Sequence, residues 1–410
     1  MKSNKKTALV LGGGGARGAY EIGVWQALRE LGIRIDIVCG TSVGSVNGAM
    51  IVQDEFDLAV KLWQELDTSM IFDLNLSKQS APKASGKKNS GRVGRGISLD
   101  EAGAYAREFL KKGGASASGL AAILDKYIDE EAIRSSPIEY GLTTVELPTL
   151  APHYLYKEEI PSGKIADYII ASSSIAPAVQ PHKIDGIDYI DGGFADVVPL
   201  ELALNKGAEN IIAVNLQAVG ILRREKFKEA EESADFFEII TSAWDLGNVL
   251  VFDRSNSRRL MRLGYLDTMK TFRIFSGNFY TFPHRSFDKK TLIGADYAAK
   301  LFELDPTVIY TKDSLNETLA DKIKAQRRIM KRELLRKDNH TLLDDSKPFK
   351  LRISESVNLL GEKLSRKSFA IQIADELKKE PDNHLLTSRA ASKLIREELA
   401  AAHYLAAHIL

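Results

Sequence analysis

Thr7 leads into an unbroken apolar run, Ala8 to Leu11, with turn-forming neighbours on both sides. This pattern predicts a buried strand over 7–11. Glycines follow from Gly12 to Gly15, and then Arg17-Gly18. Between Ala19 and Leu31 the apolar positions Ile22, Val24, Trp25 and Leu28 suit a helix. Gly32 stands where a left-handed closing residue is expected. Residues 33–39 read as a second strand. Gly40-Thr41-Ser42-Val43-Gly44 comes next, then an apolar helix near 43–52. Strand, turn and helix, taken twice, begin an α/β fold: a layered, mainly parallel sheet flanked by helices. Further strands are expected at 140–147, 153–158, 187–190 and 211–216, with helices at 164–173 and 199–206.

Length and charge divide the chain. Its 410 residues allow two or three folded units. The expected division is a layered domain over 5–217, a helical extension over 218–310 that completes or covers it, and a charged helical region over 311–410. Residues 77–98 hold six basic side chains and no acid among Ser, Gly, Pro and Ala, which reads as an exposed loop. Residues 321–337 hold eight basic side chains against Asp321 and Glu333. The formal net charge of only +1 argues against a protein that coats nucleic acid. The single cysteine, Cys39, excludes an intramolecular disulfide and a Cys-rich zinc site, and it reads as packing on a strand. No acidic spacing suggests a metal. No apolar run approaches the roughly 20 residues of a membrane helix. Ala8–Leu11 is also too short for a signal-peptide core. The expectation is a soluble, cytoplasmic protein that touches membranes, if at all, from their surface.

Three motifs carry chemistry. Gly40-Thr41-Ser42-Val43-Gly44 has the form G-x-S-x-G between a strand and a helix. A serine on so tight a turn is lifted above the sheet edge, and bulky residues two before or two after it would clash. The helix end behind it favours negative charge. The bland reading is a strand–helix turn with a capping serine. Gly13-Gly14-Gly15-Ala16-Arg17-Gly18 matches G-x-G-x-x-G. A dinucleotide site would need an acid at the end of the second strand, where Cys39-Gly40-Thr41-Ser42 offers none. A phosphate loop would need Gly-Lys-Ser/Thr. The remaining reading is an oxyanion hole made of bare backbone N–H groups. Asp191-Gly192-Gly193 ends a strand, so its carboxylate is expected at the same sheet edge as Ser42; in isolation it would be a plain turn. None of the seven histidines sits in a motif, and His182 is the best spare base.

In this order the three motifs resemble the patatin-like phospholipase family. The stretch Ala171-Ser172-Ser173-Ser174-Ile175-Ala176-Pro177 leading to Asp191 is similar to the family's second half. The resemblance covers about residues 5–217, and more loosely the helical part to about 310. It implies a Ser–Asp dyad, with Ser42 as nucleophile and Asp191 as base, which accounts for the lack of a catalytic histidine. It also implies an oxyanion hole from the backbone near Gly14, Gly15 and Arg17, and no cofactor. Many members carry Asp where Gly12 stands. The implied activity is hydrolysis of lipid acyl esters, of phospholipase A or lysophospholipase type, through an acyl-enzyme. A nucleotide-binding protein and a catalytically idle lipid-binding scaffold are the competing readings. Residues 235–263 place Phe236, Phe237, Ile240, Trp244, Leu260 and Leu263 at helical spacing; ordinary core is expected there, with a cover for the acyl pocket as the second reading. Ile395, Leu399, Ala402, Ala406 and Ile409 form a stripe that would pack on the domain or lie on a membrane. With the basic segments it makes an anionic bilayer a candidate docking surface.

Overall fold

The computed structural model describes residues 5–71, 116–334, 365–380 and 395–410. The basic loop expected at 77–98 lies outside them, as do Arg336, Lys337 and Lys393. The chain forms two compact units, Met1–Thr271 and Phe272–Leu410.

The first unit is built on a mixed sheet. Its parallel part has the order β3 (Glu139–Leu147), β2 (Ile37–Thr41), β1 (Thr7–Leu11), β7 (Asn210–Val214), β8 (Phe236–Ile240). Side chains alternate across it. Ala8, Val10, Ile37, Cys39, Ile211 and Ala213 face Leu202 and Ala203 of a short helix, Leu200–Asn205. Leu11 and Val38 face Gly48 of the helix after β2, α2 (Val43–Val52). Helices therefore cover both faces, and β1, β2 and β7 are buried at every position, as strands in such a layer must be. α1 (Ala19–Glu30) packs along α7 (Arg254–Thr271), and buried Tyr20 donates a hydrogen bond to Asp267 of α7 at 2.8 Å. That packing carries the first unit to Thr271.

The far side of the sheet positions the site. β4 (Pro152–Tyr156) and β6 (Ile187–Asp191) both run antiparallel to β3. Residues 141–143 of β3 pair with β2 and with β4, and residues 144–145 with β4 and with β6. A strand has only two edges, so β2 and β6 share one of them and meet end to end. Thr41 lies opposite Thr143, and Asp191 opposite the next residue, Thr144. β5 (His182–Ile184) pairs antiparallel with β6.

Two expectations are corrected. The second strand spans Ile37–Thr41, not 33–39. Asp36 is occupied before it, accepting the Thr7 N–H at 2.9 Å and pairing with Arg34. Residues 236–240 are a strand, not part of a helix. Their backbone pairs with β7, from Asn210–Phe236 to Val214–Ile240, and this ladder overrides the side-chain spacing. Helix enters that segment only at Arg254, the start of α7, with Leu260 and Leu263 buried.

In the second unit, α11 (Arg396–His408) packs on α8 (Lys289–Leu301) and on α10 (Arg366–Lys379). Ile395, Leu399 and Ala402 of the C-terminal stripe are buried, so this face is used for packing within the unit. Among the described residues, no helix is long and apolar enough to cross a membrane.

Candidate active site

Ser42 sits between β2 and α2 with φ +56° and ψ −128°, a conformation an L-residue holds only when its surroundings impose it. The surroundings are visible. Its N–H donates to Ser172 Oγ at 2.9 Å, and that hydroxyl donates to the Thr143 carbonyl at 2.7 Å. The Ser42 carbonyl accepts Ser45 Oγ–H at 2.6 Å and Ser45 N–H at 2.8 Å. Thr41 Oγ1 donates to the Asp196 carbonyl at 2.8 Å. Gly40 is glycine because a Cβ there would lie 2.2 Å from the Gly44 carbonyl oxygen. Gly44 itself lies in the first turn of α2.

Asp191 ends β6 beside that turn. It is 4% exposed. Its N–H donates to the Ser174 carbonyl at 2.9 Å, and its Oδ1 accepts the Gly193 N–H at 2.7 Å. Burial raises its pKa from 3.8 to about 6, while the Ser42 hydroxyl and the Gly193 N–H pull it down. Oδ2 is buried and completes no hydrogen bond of ordinary geometry. The Ser42 hydroxyl stands beside the carboxyl. Gly192 and Gly193 open a short 3-10 turn.

The glycine loop lies on the other side of Ser42. The Gly13 N–H donates to the Val197 carbonyl at 2.9 Å, and the Ala16 N–H to the Val249 carbonyl at 2.8 Å. The Arg17 N–H donates to the Gly14 carbonyl at 3.1 Å. Among the described residues, the N–H groups of Gly14 and Gly15 have no protein acceptor, so of the three expected donors these two are free. Gly15 has φ +53°, and a Cβ there would sit 2.1 Å from the Val249 carbonyl oxygen. Gly18 precedes α1 and offers its carbonyl to Asn47 Nδ2 at 3.0 Å. The Arg17 guanidinium holds backbone, bonding the carbonyls of Leu216, Gln217 and Gly247 at 3.0, 2.7 and 2.8 Å through Nε and Nη1.

Gly13, Gly14, Gly15, Ser42, Asp191 and Gly193 all line one cavity. Its walls are apolar: Val46 and Met50 of α2; Leu62 and Trp63 of α3 (Phe56–Glu65); Leu120 and Leu124 of α4 (Ser118–Tyr127); and Val249, Leu250 and Phe252 from the loop after β8. Part of 235–263 thus lines the cavity, and part is core.

Comparison with known proteins bears on the same elements. Residues 9–204 match the family described as patatin-like phospholipase. This region is a patatin-like phospholipase domain. Over 220 residues the chain is 30% identical to "Lysophospholipase NTE1" of Coccidioides immitis, covering 52% of this chain and 12% of that protein. It is 26% identical over 215 residues to "Patatin-like phospholipase domain-containing protein 7" of Rattus norvegicus, covering 51% and 13%. The chain thus spans only a small part of the length of these relatives. The crystal structure of VipD from Legionella pneumophila is 15% identical with a TM-score of 0.40, covering 99% of this chain and 91% of that one.

In the patatin-like domain, neither described histidine lines the cavity. His182 is turned to Asp167 at 3.0 Å and His153 to Glu146 at 2.9 Å. Cys39 is fully buried among β-sheet residues, and burial pushes its thiol far up. The sequence reading missed the supports. Ser172 and Thr143 hold the Ser42 turn from two other elements; Ser172 stands in the family-like stretch 171–177 but carries no role in that reading, and no local motif marks Thr143. It also missed Glu21, wholly buried on α1. Asn47 Nδ2 donates to Glu21 Oε2 at 2.8 Å, and Trp63 Nε1 donates to Asn47 Oδ1 at 2.9 Å. Burial raises the Glu21 pKa to about 8, against the pull of Asn47 and the Gly12 backbone. A polar residue on the inward face of an apolar helix was the available signal.

Proposed function

We propose that this protein is a serine acyl-ester hydrolase of lipids, of phospholipase A or lysophospholipase type, working through a Ser42–Asp191 dyad. The observation that carries the reading is the meeting of Ser42, Asp191 and two free backbone N–H groups at one apolar cavity. Ser42 Oγ attacks the ester carbonyl carbon while its proton passes to Asp191. The oxyanion is held by the Gly14 and Gly15 N–H groups. Collapse breaks the bond to the leaving alcohol, which takes the proton from Asp191. Water then attacks the acyl-enzyme, giving its proton to Asp191, and the fatty acid leaves as Ser42 recovers its hydrogen. A carboxylate with a pKa near 3.9 is a weak base; the burial that raises Asp191 to about 6 makes it a better one. The cavity wall suits a fatty acyl chain, and among the described residues the one acid that lines it is Asp191, beside Ser42 and not at the end of the second strand where a ribose would need it, which sets the hydrolase above the nucleotide reading. The names of the relatives favour a lysophospholipid among the acyl esters.

The test is hydrolysis of a short p-nitrophenyl ester together with labelling by a fluorophosphonate. Ser42→Ala is expected to abolish both. Asp191→Asn should lower turnover by about 10²–10⁴-fold, the usual contribution of a general base. Full activity in Asp191→Asn would remove the dyad, and activity in Ser42→Ala would remove the covalent step.

A further inference from the structure

We propose that the mouth of the cavity is a docking surface for lipid aggregates. In this arrangement the loop 218–222, with Phe194, enters the apolar layer of a membrane or micelle, so that an acyl chain passes into the cavity without crossing water. The inference rests on the lipid-hydrolase reading and deepens it.

The first observation is exposure. Val219 is 98% exposed, Ile221 53%, Phe194 44% and Leu222 38%. Isolated apolar side chains at a surface need no explanation, but a cluster at the mouth of an apolar cavity does. Ala218 and Val219 line the cavity, as do Gly193 and Val197 from the segment that carries Phe194. The outer patch and the inner wall are one continuous apolar surface.

The second observation is that the loop is fixed in this exposed position. The Ile221 N–H donates to the Gly193 carbonyl at 2.9 Å, and the Val197 N–H donates to the Ile221 carbonyl at 2.8 Å. Arg17 holds the carbonyls of Leu216 and Gln217. The Gln217 amide donates to Thr241 Oγ1 at 2.9 Å and the Ser242 carbonyl at 2.7 Å. The backbone is therefore tied to the turn after Asp191 and to the glycine loop, while its aliphatic side chains stay in water.

The third observation is charge. No charged residue occurs from Leu216 to Leu222. A neutral apolar rim selects an apolar layer and not an anionic surface, so binding should survive salt. Lipids with one or two long chains are aggregated in water. A site that reaches them at the aggregate surface avoids the cost of extracting the chain into water.

The test separates docking from chemistry by using the full chain with Ser42→Ala and scoring co-sedimentation with phosphatidylcholine vesicles, with and without phosphatidylglycerol, at low and high salt. Binding to phosphatidylcholine alone, unchanged by salt, is expected. Ile221→Ser/Leu222→Ser should weaken it at least fivefold. In the active enzyme the same pair should lower hydrolysis of micellar lysophosphatidylcholine at least tenfold, while a soluble p-nitrophenyl ester is cleaved within twofold of the parent rate. Leu222→Trp should strengthen vesicle binding, which keeps the proposal testable if the double variant melts early. The proposal is overturned by a parent protein that stays in the supernatant of every vesicle, by binding that needs phosphatidylglycerol and vanishes in salt, or by a double variant that sediments like the parent. A protein that sediments as expected but cleaves no ester would refute the hydrolase reading and leave docking standing.

Discussion

Asp191 is the residue on which sequence and surroundings act most clearly against each other. Its motif makes it a turn residue, and its burial raises its pKa. A carboxyl with a folded pKa of about 6 and an unfolded value near 3.9 binds its proton more tightly in the fold. The stability it contributes is full below pH ~3.9 and is lost as pH rises through about 6. Asp191→Asn should therefore raise the melting temperature at pH 7.5 and not at pH 3.5, while it removes activity. The order of magnitude at pH 7.5 is ~2–3 kcal/mol, from 1.36 kcal/mol per unit of pKa. With Asp191 as the proposed base, activity needs the ionised form, so kcat should fall on the acid side with a midpoint near 6. Melting curves and a pH–rate profile check both. The turns that carry Ser42 and Asp191 could be picked from the sequence because their motifs are local. The pKa could not, because it depends on which elements exclude water from that carboxyl.

Three elements are joined behind the site by one buried group. Glu21 on α1 accepts from Asn47 on α2, which in turn accepts from Trp63 on α3 and donates to the carbonyl at the end of the glycine loop. Glu21→Gln keeps an acceptor for Asn47 and should fold with most of its activity. Glu21→Ala leaves a donor unpaired in the core and should cost about 1–3 kcal/mol. With a folded pKa of about 8 against ~4.3 unfolded, Glu21 stabilises least at alkaline pH. Thermal melts at pH 5 and pH 9 should therefore show Glu21→Gln gaining on the parent protein as pH rises. A gap that does not change with pH would mean that Glu21 is charged in the fold. At this scale the sequence located β1 from its apolar run and α1 from its spaced apolar positions, and it also placed α2 and the helix at 165–172. It misplaced β2 by a few residues and read β8 as helix. Side-chain spacing reports which face is buried, whereas the backbone partner that turns 236–240 into a strand lies in β7.

Across the molecule, the domain surrounds an apolar cavity, and in the proposed hydrolase its shape should set the chain length accepted. Val46 lies one turn of α2 beyond Ser42 and lines that cavity. Val46→Phe should narrow it and lower kcat/KM for long-chain esters at least tenfold relative to butyrate, a discrimination of about 1.4 kcal/mol. A panel of p-nitrophenyl esters of rising length measures it, and an unchanged ratio would place the acyl chain elsewhere. The sequence alone determined the layered α/β class, the serine turn, the glycine loop and the Asp-Gly-Gly turn, because each is written in consecutive residues whose backbone geometry restricts what can stand there. The tertiary structure decided how the serine and the aspartate meet. The expectation that Asp191 ends a strand at the serine's edge is correct, yet β6 reaches that edge from the opposite direction. It meets β2 end to end along β3, where Thr143 and Thr144 set Thr41 and Asp191 one residue step apart. Strand direction and register across about 150 residues of chain depend on pairing partners distant in sequence, and no local pattern specifies them.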